Sequence, residues 1–139
     1  MQMQKQSLAP APVLVVPAVN PAQGASGSVT KELYTKVKFP GRLVMLGCGS
    51  IGQGIIPMLL RHTSITPDQM KIVTADEAGK LVADQYHIEF VVEPLTPDNY
   101  GRVLKKHLLA GDFMLNLSVD VSYEDLIAWC QKLGILYLD

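Results

Sequence analysis

One stretch limits what this chain can fold into more than any other: Arg42-Leu43-Val44-Met45-Leu46-Gly47-Cys48-Gly49-Ser50-Ile51-Gly52-Gln53-Gly54. A short apolar run, Leu43 to Leu46, breaks into glycines spaced G-x-G-x-x-G, and a second apolar segment, Ile55 to Leu60, follows at once. That is the order strand, tight turn, helix which a dinucleotide-binding turn requires. Each glycine has a separate task. Gly47 permits the sharp exit from the strand, and Gly49 lets the backbone approach a pyrophosphate with no side chain in the way. Gly52 lets the new helix lie close to the sheet. The free N–H groups and positive dipole end at Ser50 and Ile51 then suit a phosphate.

The elements that follow alternate regularly. Leu43–Leu46 reads as the first strand and Ile51–His62 as the first helix, with Pro57 expected to kink it by removing a backbone donor. Thr66-Pro67-Asp68 is a turn, and residues 70–75 form the second strand, closed by Asp76-Glu77. A short helical stretch at 78–87 precedes a β-branched third strand at 88–92. Thr96-Pro97-Asp98 has the composition of a helix start, for a helix running to Leu109 and stopped by Gly111. Residues 112–117 are a nearly continuous apolar run, as in a strand buried on both faces. Ser122, with Asp125 three residues on, opens a last helix that Gly134 ends, and 135–138 form a fifth strand. Five strands alternating with four helices imply an α/β fold with a doubly wound parallel sheet (Rossmann), and right-handed crossovers give the strand order 3-2-1-4-5.

Residues 1–35 differ from the rest. They carry Pro10, Pro12, Pro17 and Pro21, then Gly24-Ala25-Ser26-Gly27-Ser28, a composition expected to stay disordered because it buries too little to offset ordering entropy. Prolines interrupt the apolar stretch from Leu8 to Val19, so a signal peptide is not expected there. Residues 36–139 are expected to form one dinucleotide-binding domain, and 48% hydrophobic residues suffice for its core. A net charge of −1 offers no electrostatic case for nucleic acid or an anionic membrane as partner. No apolar run approaches the roughly 18 residues of a spanning helix. Cys48 and Cys130 stand in no C-x-x-C or metal-ligand spacing; they read as structural thiols of a cytoplasmic protein, and no metal site is expected.

In this fold a carboxylate at the end of the second strand bonds the adenosine ribose hydroxyls. Asp76 stands there, 24 residues after Gly52. No arginine follows it to receive a 2′-phosphate, which favours NAD over NADP; the alternative is a solvated turn aspartate. The fourth strand ends Asn116-Leu117-Ser118-Val119-Asp120, at the crevice where open α/β sheets bind ligands. Asn116 and Ser118 can reach the nicotinamide side, and Asp120 can face a cationic substrate group. Equally, Asn116 and Ser118 can satisfy loop backbone groups while Asp120 is an exposed acid before a helix. His62, His87 and His107 read as surface or helix-end histidines, and Trp129 as a packing residue.

Three segments together, Val44 to Gly54, Asn116 to Asp120 and Leu136-Tyr137-Leu138-Asp139, resemble bacterial-type homospermidine synthase, within the wider saccharopine dehydrogenase-like group. The resemblance spans about Pro40 to Asp139, and Asn-Leu-Ser-Val-Asp at this distance is its most specific part. Arg61-His62 and Asp98-Asn99-Tyr100 also fit. It implies an NAD-dependent aminobutyl transfer: putrescine is oxidised to an imine, ammonia is lost, the product condenses with a second putrescine, and the hydride returns, with spermidine able to supply the aminobutyl group in place of the first putrescine. Carried over by position, Gly47, Gly49, Ser50, Ile51 and Gly52 hold the pyrophosphate and Asp76 the adenosine ribose. Asn116 and Ser118 line the nicotinamide side, and Asp120 is the amine-binding, catalytic carboxylate. The family's chain continues for hundreds of residues, through a domain that closes the pocket and forms a homodimer. The 139 residues therefore look like its amino-terminal cofactor half, expected to be inactive alone. A saccharopine-type reductase or a non-catalytic NAD-binding domain are the competing readings.

Overall fold

The computed structural model describes residues 36–139, so the expectation for residues 1–35 lies outside the described residues. Five parallel strands build the sheet: β1 (Leu43–Leu46), β2 (Met70–Thr74), β3 (Glu89–Val92), β4 (Phe113–Asn116) and β5 (Leu136–Leu138). Their order is β3-β2-β1-β4-β5, as the sequence implies. Leu46 pairs with Val73 on one side and Asn116 on the other, so β1, β2 and β4 end level with one another. Placing β1 at the centre follows from its composition: Leu43, Val44, Met45 and Leu46 are all at most 3% exposed.

Alternation of side chains divides the core into two layers. Val44, Leu46, Val73 and Met114 face α3 (Tyr100–Leu104) and α4 (Tyr123–Leu133), meeting Leu104, Leu126 and Cys130. Leu43, Met45, Ile72 and Leu115 face α1 (Ser50–His62) and α2 (Lys80–Gln85), meeting Ile56 and Ala83. Burying each of the larger side chains contributes about 1.5–3 kcal/mol. The strand order reverses between β1 and β4, and the crevice of such a switch point lies at the carboxyl ends of these strands.

Several boundaries depart from the sequence reading, each for a local reason. The helix expected from Thr96 to Leu109 contracts to Tyr100–Leu104. Asn99 Oδ1 accepts from Thr96 N (2.8 Å) and Asn99 Nδ2 donates to the Pro94 carbonyl (3.1 Å), closing residues 94–99 into a turn of their own. Beyond Leu104, Lys106 N and His107 N bond carbonyls three residues back, and both side chains reach Glu93. Helix α1 runs through Pro57, which lies on the exposed side, where water can serve the carbonyl left without a donor. Thr66 and Gln69 complete a capping box around a short 3₁₀ turn, Pro67–Gln69. Ser122 leads α4 without a side-chain capping bond, whereas Gly134 ends it in the left-handed region (φ 67°) as expected.

At the other end of the sheet, Arg42 and Asp112 fasten β1 to β4. The guanidinium meets the carboxylate at 2.6 Å, and Asp112 also accepts from Leu109 N at 2.8 Å. His107 is not the surface group its helix-end position suggests: it is 8% exposed, with Nε2 3.1 Å from Glu93 Oε2.

Candidate functional site

The turn after β1 is held by backbone before any side chain is considered. Gly47 N donates to the Val73 carbonyl (2.8 Å), and Leu117 N donates to the Leu46 carbonyl (2.8 Å). These bonds bring the ends of β2 and β4 to the glycine turn. Gly47 has φ +83°, and a Cβ there would stand 3.0 Å from the Leu117 carbonyl oxygen. At Gly52 a Cβ would stand 3.1 Å from the Gly47 carbonyl, which explains how α1 lies so close to the turn. Both positions therefore require glycine for reasons internal to the protein.

Gly49 is different. A Cβ built on it meets nothing within 4 Å. Its missing side chain opens space instead of relieving a contact, and that space is the mouth of a cavity of about 260 Å³. Gly49 is also the residue preceding α1, which has no side-chain cap and no acidic residue in its first turn. The first N–H groups of this helix are thus presented bare at the rim, beside exposed Ser50 and Ile51. Gln53, which the sequence reading passed over, braces the turn through Nε2 to the Cys48 carbonyl (3.2 Å).

Beside the turn after β1, the ends of two further strands form the walls. Thr74, Ala75 and Asp76 come from β2, Leu117 to Asp120 from β4, and Leu95 closes the apolar side. Among the described residues, Asp76 and Asp120 are the charged groups lining the cavity, and both carry negative charge. Asp76 Oδ1 accepts from Ala78 N (2.9 Å), making a local turn and leaving Oδ2 outside that bond. Asp120 is exposed at the rim next to Val119, which is 96% exposed.

Of the site residues named from sequence, Gly47, Gly49, Asp76, Ser118 and Asp120 come together on this cavity. Ser50, Ile51 and Gly52 lie in the first turn of α1 above it. Asn116 sits behind the wall: its Oδ1 accepts from Ser118 N (3.2 Å) and Oγ (3.0 Å), while its Nδ2 donates to the Tyr137 hydroxyl (3.2 Å). Cys48 is 3% exposed and packs on Gly79 just before α2. Burial, aided by the charge of Asp76, pushes its thiol pKa up, which keeps it protonated and unreactive. Gly79 carried no signal in the sequence that separates it from any other loop glycine, and Tyr137 stood out only as part of the segment Leu136 to Asp139, with no role attached to it.

Known proteins resemble this chain in sequence and fold. The family model for the saccharopine dehydrogenase NADP binding domain matches residues 43–139. Homospermidine synthase of Mesorhizobium japonicum is 38% identical over 102 residues, covering 71% of this chain and 21% of that protein. Homospermidine synthase of Blastochloris viridis is 32% identical over 105 residues, 73% of this chain and 22% of that one. Among solved structures, homospermidine synthase from Legionella pneumophila in complex with NAD superimposes with a TM-score of 0.69 at 35% identity, over 73% of this chain and 22% of that chain. The chain thus spans about a fifth of the length of the relatives it matches. Its parallel sheet, its glycine turn and the match along its whole described sheet have one reading: the chain belongs to the saccharopine dehydrogenase NADP-binding domain family.

Proposed function

We propose that this chain holds NAD over the carboxyl ends of β1, β2 and β4, as the cofactor-binding part of a homospermidine synthase-type enzyme acting on putrescine. The observation that carries this reading is Gly49, a glycine whose missing side chain serves no packing need and opens the cavity beside a bare helix start. The backbone from Gly47 to Gly52, with Ser50 and Ile51, meets the pyrophosphate, where aligned N–H groups favour an anion. Asp76 takes the adenosine ribose hydroxyls through its uncommitted oxygen and repels a 2′-phosphate, which selects NAD although the family's description names NADP. Ser118 borders the nicotinamide end, with Asn116 behind it. When bound there, NAD would supply a hydride acceptor at the Ser118 end of the cavity.

Asp120 is the residue of this chain that meets the amine. A carboxylate at the rim pairs with an ammonium group and orients the diamine over the cofactor end of the cavity. The same charge disfavours a saccharopine-type reaction, whose substrate carboxylates need cations that the cavity wall does not offer. Two buried free thiols, Cys48 and Cys130, suit a reducing cytoplasm; burial raises the pKa of Cys130 to about 11. Among the described residues no helix is long and apolar enough to cross a membrane.

Product analysis tests the assignment. The purified 139-residue chain with NAD and putrescine is expected to yield no homospermidine by mass spectrometry, because Asp120 alone cannot orient two amines. Homospermidine in that mixture would show that these residues suffice for the whole reaction and would overturn the cofactor-part assignment.

A further inference from the structure

The hydrogen bonds behind the β4 end of the cavity run in one direction. Asn116, the last residue of β4, is 6% exposed, and Ser118 N can only donate, so the Asn116 oxygen must face it. The amide is thereby oriented, and its NH2 group points at Tyr137, whose hydroxyl accepts at 3.2 Å. The Ser118 hydroxyl lies 3.0 Å from the same Asn116 oxygen, which can only accept, so the serine proton is committed inward. Toward the cavity Ser118 therefore presents lone pairs. Tyr137 stands on the neighbouring strand β5, its ring packed against the core layer of α3 and α4, and its phenol also interacts with Asp139. The phenol oxygen carries lone pairs, one of which accepts from Asn116 Nδ2.

We propose that Tyr137 is a positioning residue for the nicotinamide end of the site: through Asn116 it fixes the Ser118 hydroxyl as a hydrogen-bond acceptor facing the ligand. An acceptor at that point selects a donor, and the carboxamide NH2 of nicotinamide is the ligand chemistry that fits. The loop carrying Ser118 has little freedom to adjust otherwise, since Leu117 is tied to Leu46 at 2.8 Å and lies directly over Gly47. This inference rests on the NAD reading for its ligand and on the three hydrogen bonds for its geometry.

The test uses Tyr137→Phe in the full chain, a change that removes one oxygen and leaves the ring. Calorimetry compares NAD with ADP-ribose, which lacks the nicotinamide. NAD is expected to bind about fivefold more weakly, the scale of one neutral hydrogen bond, with ADP-ribose unchanged within about twofold. In a Ser118→Ala background the same change is expected to add nothing. Equal weakening of both ligands, no change in either, or a full effect without Ser118 would overturn the proposal. Hydrogen exchange provides a reading independent of any ligand: the Ser118 amide is expected to exchange several-fold faster in Tyr137→Phe, while the amides of β1 stay as in the parent. If the parent binds neither nucleotide, the NAD reading fails, and unchanged Ser118 exchange would separately sink the role of Tyr137.

Discussion

Cys48 and Gly79, thirty-one residues apart in sequence, touch so closely that a Cβ on Gly79 would fall 2.2 Å from the Cys48 sulfur and 2.5 Å from its carbonyl oxygen. The contact locks the glycine turn of β1 to the residue before α2, and Asp76 lies in the short segment between β2 and that residue. Because part of the obstruction is backbone, no rotamer change relieves it.

Gly79→Ala is therefore expected to destabilise the domain by about 1–3 kcal/mol, the usual range for overpacking. Urea unfolding followed by circular dichroism measures it. Cys48→Ala added to Gly79→Ala is expected to recover only part of the loss, since the carbonyl remains. Unchanged stability in Gly79→Ala would mean that this contact carries no constraint.

Gly49 is expected to behave in the opposite way. Gly49→Val has open space for its side chain in the free protein, so the melting temperature is expected to stay within a few degrees of the parent. NAD affinity is expected to fall by at least about tenfold, because the side chain occupies the approach to the pyrophosphate. Comparing thermal melts with and without NAD separates the two effects. A Gly49→Val protein that binds NAD like the parent would remove the main support for the site.

Asp76 governs the choice of nucleotide. Asp76→Ala is expected to weaken NAD by about 5- to 20-fold, through loss of charge-assisted bonds to two hydroxyls, and to leave NADP unchanged or improved. Competition between the two nucleotides on parent and variant reads this directly. Equal weakening of both would return Asp76 to its local bond with Ala78, seen at 2.9 Å.

The Arg42–Asp112 pair sets the acid limit of the fold. Hydrogen bonds from Arg42 and from Leu109 N hold the Asp112 carboxyl below the usual carboxylate range, although burial acts to raise it. A group with a lowered folded-state pKa contributes stability that is present above its unfolded value of about 3.9 and is lost as pH falls through the folded value. Asp112→Ala is expected to cost about 2–3 kcal/mol at pH 7 and to flatten the decline in melting temperature below about pH 4. A parallel decline in parent and variant would assign acid sensitivity elsewhere.

The parts legible in the sequence were those governed by local pattern. The strand order followed from alternating elements and handedness, and the ends of β1 and α4 followed from Gly47 and Gly134, where left-handed backbone is required. Thr96-Pro97-Asp98 misled because Asn99, not Thr96, provides the side-chain bonds of that turn, and its competition with helix geometry is invisible in composition. His107 was missed because its partner Glu93 stands fourteen residues earlier in the sequence. Gly79 and Tyr137 depend on partners brought close only by the folded sheet. Asn116 illustrates the limit most clearly: its position at the crevice was readable, and the direction of its amide was not.

The most direct measurement is isothermal titration of the full chain with NAD, followed by putrescine added to the NAD-loaded protein. The expected result is saturable one-site heat for NAD, with NADP at least about tenfold weaker, and a putrescine response that Asp120→Asn abolishes. Absence of any NAD binding, with the chain folded by circular dichroism, would contradict the central claim.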